Sequence, residues 1–60
     1  MTDQLLTVKE AADFLDVHEM TLALWRKEER GPAFIRIERN VRYRRIDLDS
    51  YLDEQTVRPE

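Results

Sequence analysis

Only three residues, Asp16-Val17-His18, separate two segments that each carry the apolar spacing of a helix. So short a link holds a second helix across the first instead of letting it continue. Upstream, Thr7-Val8-Lys9-Glu10 has the form of a capping box, in which the Thr7 hydroxyl takes the amide of Glu10 and the Glu10 carboxylate returns to the amide of Thr7. A helix therefore begins there, and Val8, Ala11, Ala12 and Leu15 at i, i+3, i+4 and i+7 form its apolar stripe. Asp tolerates a left-handed backbone better than most residues, so Asp16 ends this helix and Val17 plugs the corner. The second helix is expected from about Glu19 to Glu28. Arg30-Gly31-Pro32 closes it, with Gly supplying the C-terminal turn and Pro forbidding continuation.

Beyond that stop, Phe34 to Ile37 and Val41 to Arg45 alternate β-branched or aromatic residues with Arg and are expected as two strands of a hairpin. A three-residue loop, Glu38-Arg39-Asn40, would pair Ile37 with Val41 and Ile35 with Tyr43 on one face. Phe34, Arg36, Arg42 and Arg44 would then share the other. Asn40 takes the left-handed third loop position in this register, and Arg36 stands opposite Arg42, a like-charge pair that makes better sense under a bound anion. A last helix, about Ile46 to Glu54, carries Leu48, Tyr51 and Leu52 at i, i+3 and i+4. The expected organisation is one mostly helical α+β domain over residues 1–54 with a flexible tail over 55–60. Its class is a winged helix-turn-helix, made of a helix-turn-helix, a two-stranded β-hairpin wing and a C-terminal helix.

Charge sharpens this picture. Eight of the ten basic residues lie between Arg26 and Arg45, against Glu28, Glu29 and Glu38, so that block is net +5 while the whole chain is −3. A domain this small that concentrates one sign of charge attracts an opposite polyelectrolyte whatever its total charge. Sixty residues bury only about 60% of their unfolded surface, so stability should be modest. Without cysteine and with one histidine, neither a disulfide nor a metal site is expected, and a reducing bacterial or phage cytoplasm, close to the nucleoid, is the expected home. No apolar run suggests export or a membrane contact. Nor is there a nucleophile and base constellation, a glycine-rich phosphate loop or a small-molecule pocket pattern, so an enzyme or a cofactor is not expected.

Taken in order, Leu5-Leu6-Thr7-Val8-Lys9-Glu10-Ala11-Ala12, Leu15-Asp16-Val17, Thr21-Leu22 with Trp25, Arg30-Gly31-Pro32, Val41-Arg42-Tyr43, and Asp47-Leu48 with Tyr51-Leu52 resemble the small winged helix-turn-helix proteins of the excisionase and AlpA type, related to the DNA-binding domain of MerR regulators. The resemblance spans Leu5 to about Leu52. It implies binding of double-stranded DNA, either as an excisionase that bends an attachment site and directs a site-specific recombinase, or as a small transcriptional regulator. Such proteins usually carry Gly at Asp16, Ser at His18 and Gly at Glu38. His caps a helix less well than Ser, and Glu38 puts a carboxylate near the wing tip, with Arg39 beside it.

The same family pattern turns Thr21, Leu22 and Trp25 inward. Glu19, Met20, Ala23, Leu24 and Lys27 then form the outer face of the second helix. Base edges are usually read by Arg, Lys, Asn or Gln, and only Lys27 is of that kind here. Met20, Ala23 and Leu24 suit thymine methyls, and Glu19 suits a cytosine amine. The expected DNA contacts are His18, Glu19, Met20, Ala23, Lys27, Arg36, Arg39, Asn40, Arg42 and Arg44, with affinity resting mainly on phosphate contacts of the wing arginines. Met20 and Leu24 are also candidates for a protein contact, to a recombinase or to another copy in cooperative self-association on DNA. The rival class is an interaction module that keeps the winged fold without binding DNA. His18 as a cap, Trp25 as a core anchor and Tyr43 as core with its hydroxyl near a phosphate complete the expectations. Asp47 and Asp49 favour the positive end of their helix and need no cation to explain them.

Overall fold

The computed structural model describes residues 4–59 of the chain. Residues 1–3 of the expected domain and Glu60 of the expected tail lie outside the described residues. The elements in chain order are β1 (Leu5–Thr7), α1 (Val8–Leu15), α2 (Glu19–Lys27), β2 (Ile35–Ile37), β3 (Asn40–Arg44) and α3 (Arg45–Gln55).

Local chemistry sets both ends of α1. The Thr7 amide donates to Glu10 Oε1 at 2.9 Å and the Glu10 amide donates to Thr7 Oγ1 at 3.1 Å, completing the capping box. At the far end Asp16 takes a left-handed backbone with φ 59°. The amides of Asp16 and Val17 fold back onto the carbonyls of Asp13 and Ala12 at 3.2 and 3.0 Å, satisfying acceptors that a helix end leaves open.

Helix α2 stops by the same device, three residues earlier than Pro32 requires. Glu29 has φ 57°. The amides of Glu29 and Arg30 return to the carbonyls of Arg26 and Trp25 at 3.2 and 2.9 Å. Gly31 is thus not the residue that ends α2, as the sequence suggested. With φ 89° and a position where a Cβ would come within 2.8 Å of Trp25 Cε3, it lets the chain pass directly over the indole.

Three antiparallel strands form the sheet in the order β1-β3-β2, one more than expected. Leu5, Leu6 and Thr7 pair with Arg44, Tyr43 and Arg42. A bare hairpin is marginal in water, and β1 supplies the third strand that steadies it.

The hairpin register differs from the expected one by a single step. Ile35, Arg36 and Ile37 face Arg42, Val41 and Asn40, so the turn is the residue pair Glu38-Arg39 and the left-handed residue is Glu38 (φ 57°), not Asn40. Arg36 is not opposite Arg42, and the anion argument built on that pair falls away. The slip moves a whole side-chain set between faces. Phe34, Arg36, Val41 and Tyr43 share the side that faces the helices, while Ile35, Ile37, Arg42 and Arg44 share the outer side with Leu5 and Thr7. Aromatic packing explains the choice. Tyr43 is buried, and its ring meets Phe34 with centroids 6.2 Å apart.

Leu6, Ala11, Ala12, Leu22, Tyr43 and Leu48 form the buried core, flanked by Val8, Phe14, Leu15, Val17, Trp25, Phe34 and Val41. Helix α3 begins at Arg45 and includes Gln55, the first residue of the expected tail. It buries Leu48 and half-buries Tyr51, whose ring lies 5.7 Å from that of Trp25. Leu52, which continues the Leu48 and Tyr51 spacing, is exposed. With α1 and α2 joined by a tight turn, β2–β3 projecting as a wing and α3 closing the core, this is a winged helix-turn-helix.

Candidate nucleic-acid interface

Helix α2 is fixed from beneath by Leu22, fully buried, and by Trp25, clamped between Gly31 and Tyr51. Its N-cap, His18, makes no side-chain capping bond, although its carbonyl accepts from the amides of Thr21 and Leu22 at 3.0 and 3.3 Å. Glu19, Met20, Ala23, Leu24 and Lys27 are all exposed, Met20 to 83%. Along this face Met20, Thr21, Ala23 and Leu24 line a shallow, almost wholly apolar hollow. His18 is exposed at the start of the same helix.

The wing meets α2 through a cluster that the sequence did not reveal. Arg26 Nη1 donates to the Tyr43 hydroxyl at 2.8 Å, and the Arg26 guanidinium lies over the Phe34 ring at 5.8 Å. Arg36 lies over the same ring at 5.7 Å. Each such contact contributes on the order of 0.5–2 kcal/mol, and together they hold two cations at the junction of helix and wing. The Tyr43 hydroxyl, expected near a phosphate, instead accepts from Arg26. Arg26 itself was not among the expected contacts. The available signal was its spacing, i+4 from Leu22, which puts it on the flank of α2 nearest the core, where a packed hairpin can reach it. An open notch of about 440 Å³ lies beside this cluster, lined in part by Arg26, Arg30 and Phe34.

Ion pairing divides the ten basic residues into two groups. Lys9 pairs with Asp13 at 3.6 Å, Arg30 with Glu28 at 2.8 Å, Arg44 with Asp47 at 2.7 Å, Arg45 with Asp49 at 3.5 Å and Arg58 with Asp53 at 3.0 Å. The other five, Arg26, Lys27, Arg36, Arg39 and Arg42, have no carboxylate within 4.0 Å among the described residues. Surface pairs contribute little to stability, yet they neutralise a charge locally. The uncompensated positive charge is therefore confined to the end of α2 and the wing. Asp47, in the first turn of α3, serves both the positive end of that helix and its pair with Arg44, whereas Asp49, beyond the first turn because α3 starts at Arg45, serves only its pair.

The expected wing residues separate accordingly. Arg36, Arg39 and Asn40 are exposed, with Arg36 on the side towards α2 and Arg39 in the turn. Arg42 is half-buried on the opposite side, with Nη1 donating to the Val41 carbonyl at 2.9 Å. Arg44 shares that outer side and is held by Asp47.

Among the described residues no helix is long and apolar enough to cross a membrane. A family profile described as a helix-turn-helix domain matches residues 5–56. Neither curated proteins nor solved structures give a significant match.

Proposed function

The chain belongs to the helix-turn-helix domain family, and from that premise we propose that it binds duplex DNA with α2 in the major groove and the β2–β3 wing along neighbouring phosphates. One observation carries the proposal: the five bases that have no carboxylate partner among the described residues all lie on α2 and the wing. Arg36, Arg39 and Arg42 bind phosphate, with Asn40 beside them, and Arg26 and Lys27 extend the same field onto the helix. Arg44 contributes less because Asp47 already compensates it. His18 and Glu19 stand where α2 enters the groove, Glu19 as an acceptor for a cytosine amine.

Within this role the protein acts as an excisionase of the AlpA type or as a small transcriptional regulator with a MerR-like DNA-binding domain. The first activity takes a site-specific recombinase as partner, and copies of the chain associate cooperatively on DNA. A second function, docking on a protein instead of DNA, is favoured by the exposed apolar hollow at Met20 and Leu24.

Amide NMR on the labelled chain titrated with a duplex separates the two. DNA binding shifts amides from His18 to Lys27 and from Ile35 to Arg42 and leaves the outer face of α3 unchanged. A duplex that perturbs none of them at low salt leaves the protein-docking function standing.

A further inference from the structure

We propose that α2 selects its site by the C5-methyl groups of thymine, held in the hollow formed by Met20, Ala23 and Leu24. This rests on the DNA-binding function above and states what its recognition helix reads.

In the major groove each base pair shows hydrogen-bonding edges, and thymine alone among the four ordinary bases adds a methyl group. A helix that reads edges presents Arg, Asn or Gln there. Between Glu19 and Lys27 the outer face of α2 offers Met20, Ala23 and Leu24 instead, with Met20 83% and Leu24 48% exposed. These three, with Thr21, line one shallow hollow that is almost wholly apolar. Its occupant is argued from charge. Lys27 continues the same stripe at i+3 from Leu24 and i+4 from Ala23, and Lys27, Arg26, Arg36, Arg39 and Arg42 are the bases that have no carboxylate partner among the described residues. A polyanion drawn by that field arrives with its groove against the hollow, and the apolar group a DNA groove can offer is the thymine methyl. Met suits the task, since its unbranched side chain adapts to the position of a small group.

The test begins with selection of duplexes from a random pool, followed by synthesis of the recovered duplex with deoxyuridine in place of thymidine, which removes only the methyls. Burying a methyl is worth about fourfold in affinity, so loss of two or three contacts weakens binding roughly 15- to 60-fold. In a Met20→Ala, Leu24→Ala variant the thymine-to-uracil ratio should fall towards one, while its salt dependence stays that of the natural chain. Both side chains are exposed, and circular dichroism checks that the variant is folded. Equal binding of the two duplexes by the natural chain overturns the proposal, as does a selection with no thymine preference or a ratio that survives in the variant. In each of those cases DNA binding itself still stands. Absence of binding to any duplex at low salt overturns the DNA-binding function as well, and points to a protein on this face.

Discussion

Arg26 on α2 donates a 2.8 Å hydrogen bond to the hydroxyl of Tyr43 on β3, so α2 and the wing beside it are directly coupled. Tyr43 is the largest fully buried side chain. The spacing between α2 and the wing is therefore set from the core, and the two elements present one surface.

Removing that hydroxyl tests the coupling. Tyr43→Phe keeps the ring packed on Phe34 and deletes only the acceptor. Because Arg26 can turn to water, the loss should be about 1 kcal/mol in urea unfolding. DNA affinity should fall even though the wing bases are unchanged. Equal affinity in a folded variant would show that the helix and wing do not act together.

At the wing tip Glu38 holds a φ of 57°, a conformation that costs a side chain with a Cβ about 1–2 kcal/mol. Glu38→Gly should raise stability by roughly 0.5–1 kcal/mol after the added freedom of the unfolded chain is counted. Removing the carboxylate should also tighten duplex binding. Thermal unfolding and a duplex titration measure the two effects separately.

Gly31 is the opposite case. Alanine there combines φ 89° with a Cβ 2.8 Å from Trp25 Cε3. Gly31→Ala should cost roughly 2–4 kcal/mol, a large share of what so small a domain has. The displaced indole should report the change through its fluorescence.

How much of this was legible depended on the range of the interactions. The capping box at Thr7 and Glu10 and the left-handed Asp16 each follow from residues within a few positions of one another, and the sequence displays them, whereas the outward face of α2 came from the family resemblance because both sides of that helix carry apolar residues. The hairpin register does not follow that way. Alternation of Ile with Arg fits either face, and the choice is made by Phe34 meeting Tyr43 and by Arg26 reaching across from another element. Strand β1 was missed because Leu5–Thr7 is too short to show a period and is defined by its pairing with β3. At the interface, clustering of bases was visible, as was the helical spacing of the pairs Lys9–Asp13, Arg44–Asp47 and Arg45–Asp49, but the placing of Arg26 against the wing was not, because Tyr43 and Phe34 are distant in sequence.

His18 caps α2 without a side-chain bond. His18→Ser supplies an oxygen for the free amides at the helix start and should stabilise the chain by about 1 kcal/mol, read as a higher urea midpoint with an unchanged slope. An unchanged midpoint would mean that the α2 start is already satisfied by solvent.

The central claim is that the bases of α2 and the wing with no carboxylate partner among the described residues bind DNA phosphates, and a salt series on a fluorescent duplex tests it most directly. Five contacts predict a slope of log affinity against log salt of about −4.5, and Arg36→Ala, Arg39→Ala and Arg42→Ala together should flatten it to about −2. Lys9→Ala with Arg58→Ala, which removes only ion-paired bases, should leave it nearly unchanged. A slope that the triple variant keeps, or no binding at low salt, would contradict the account.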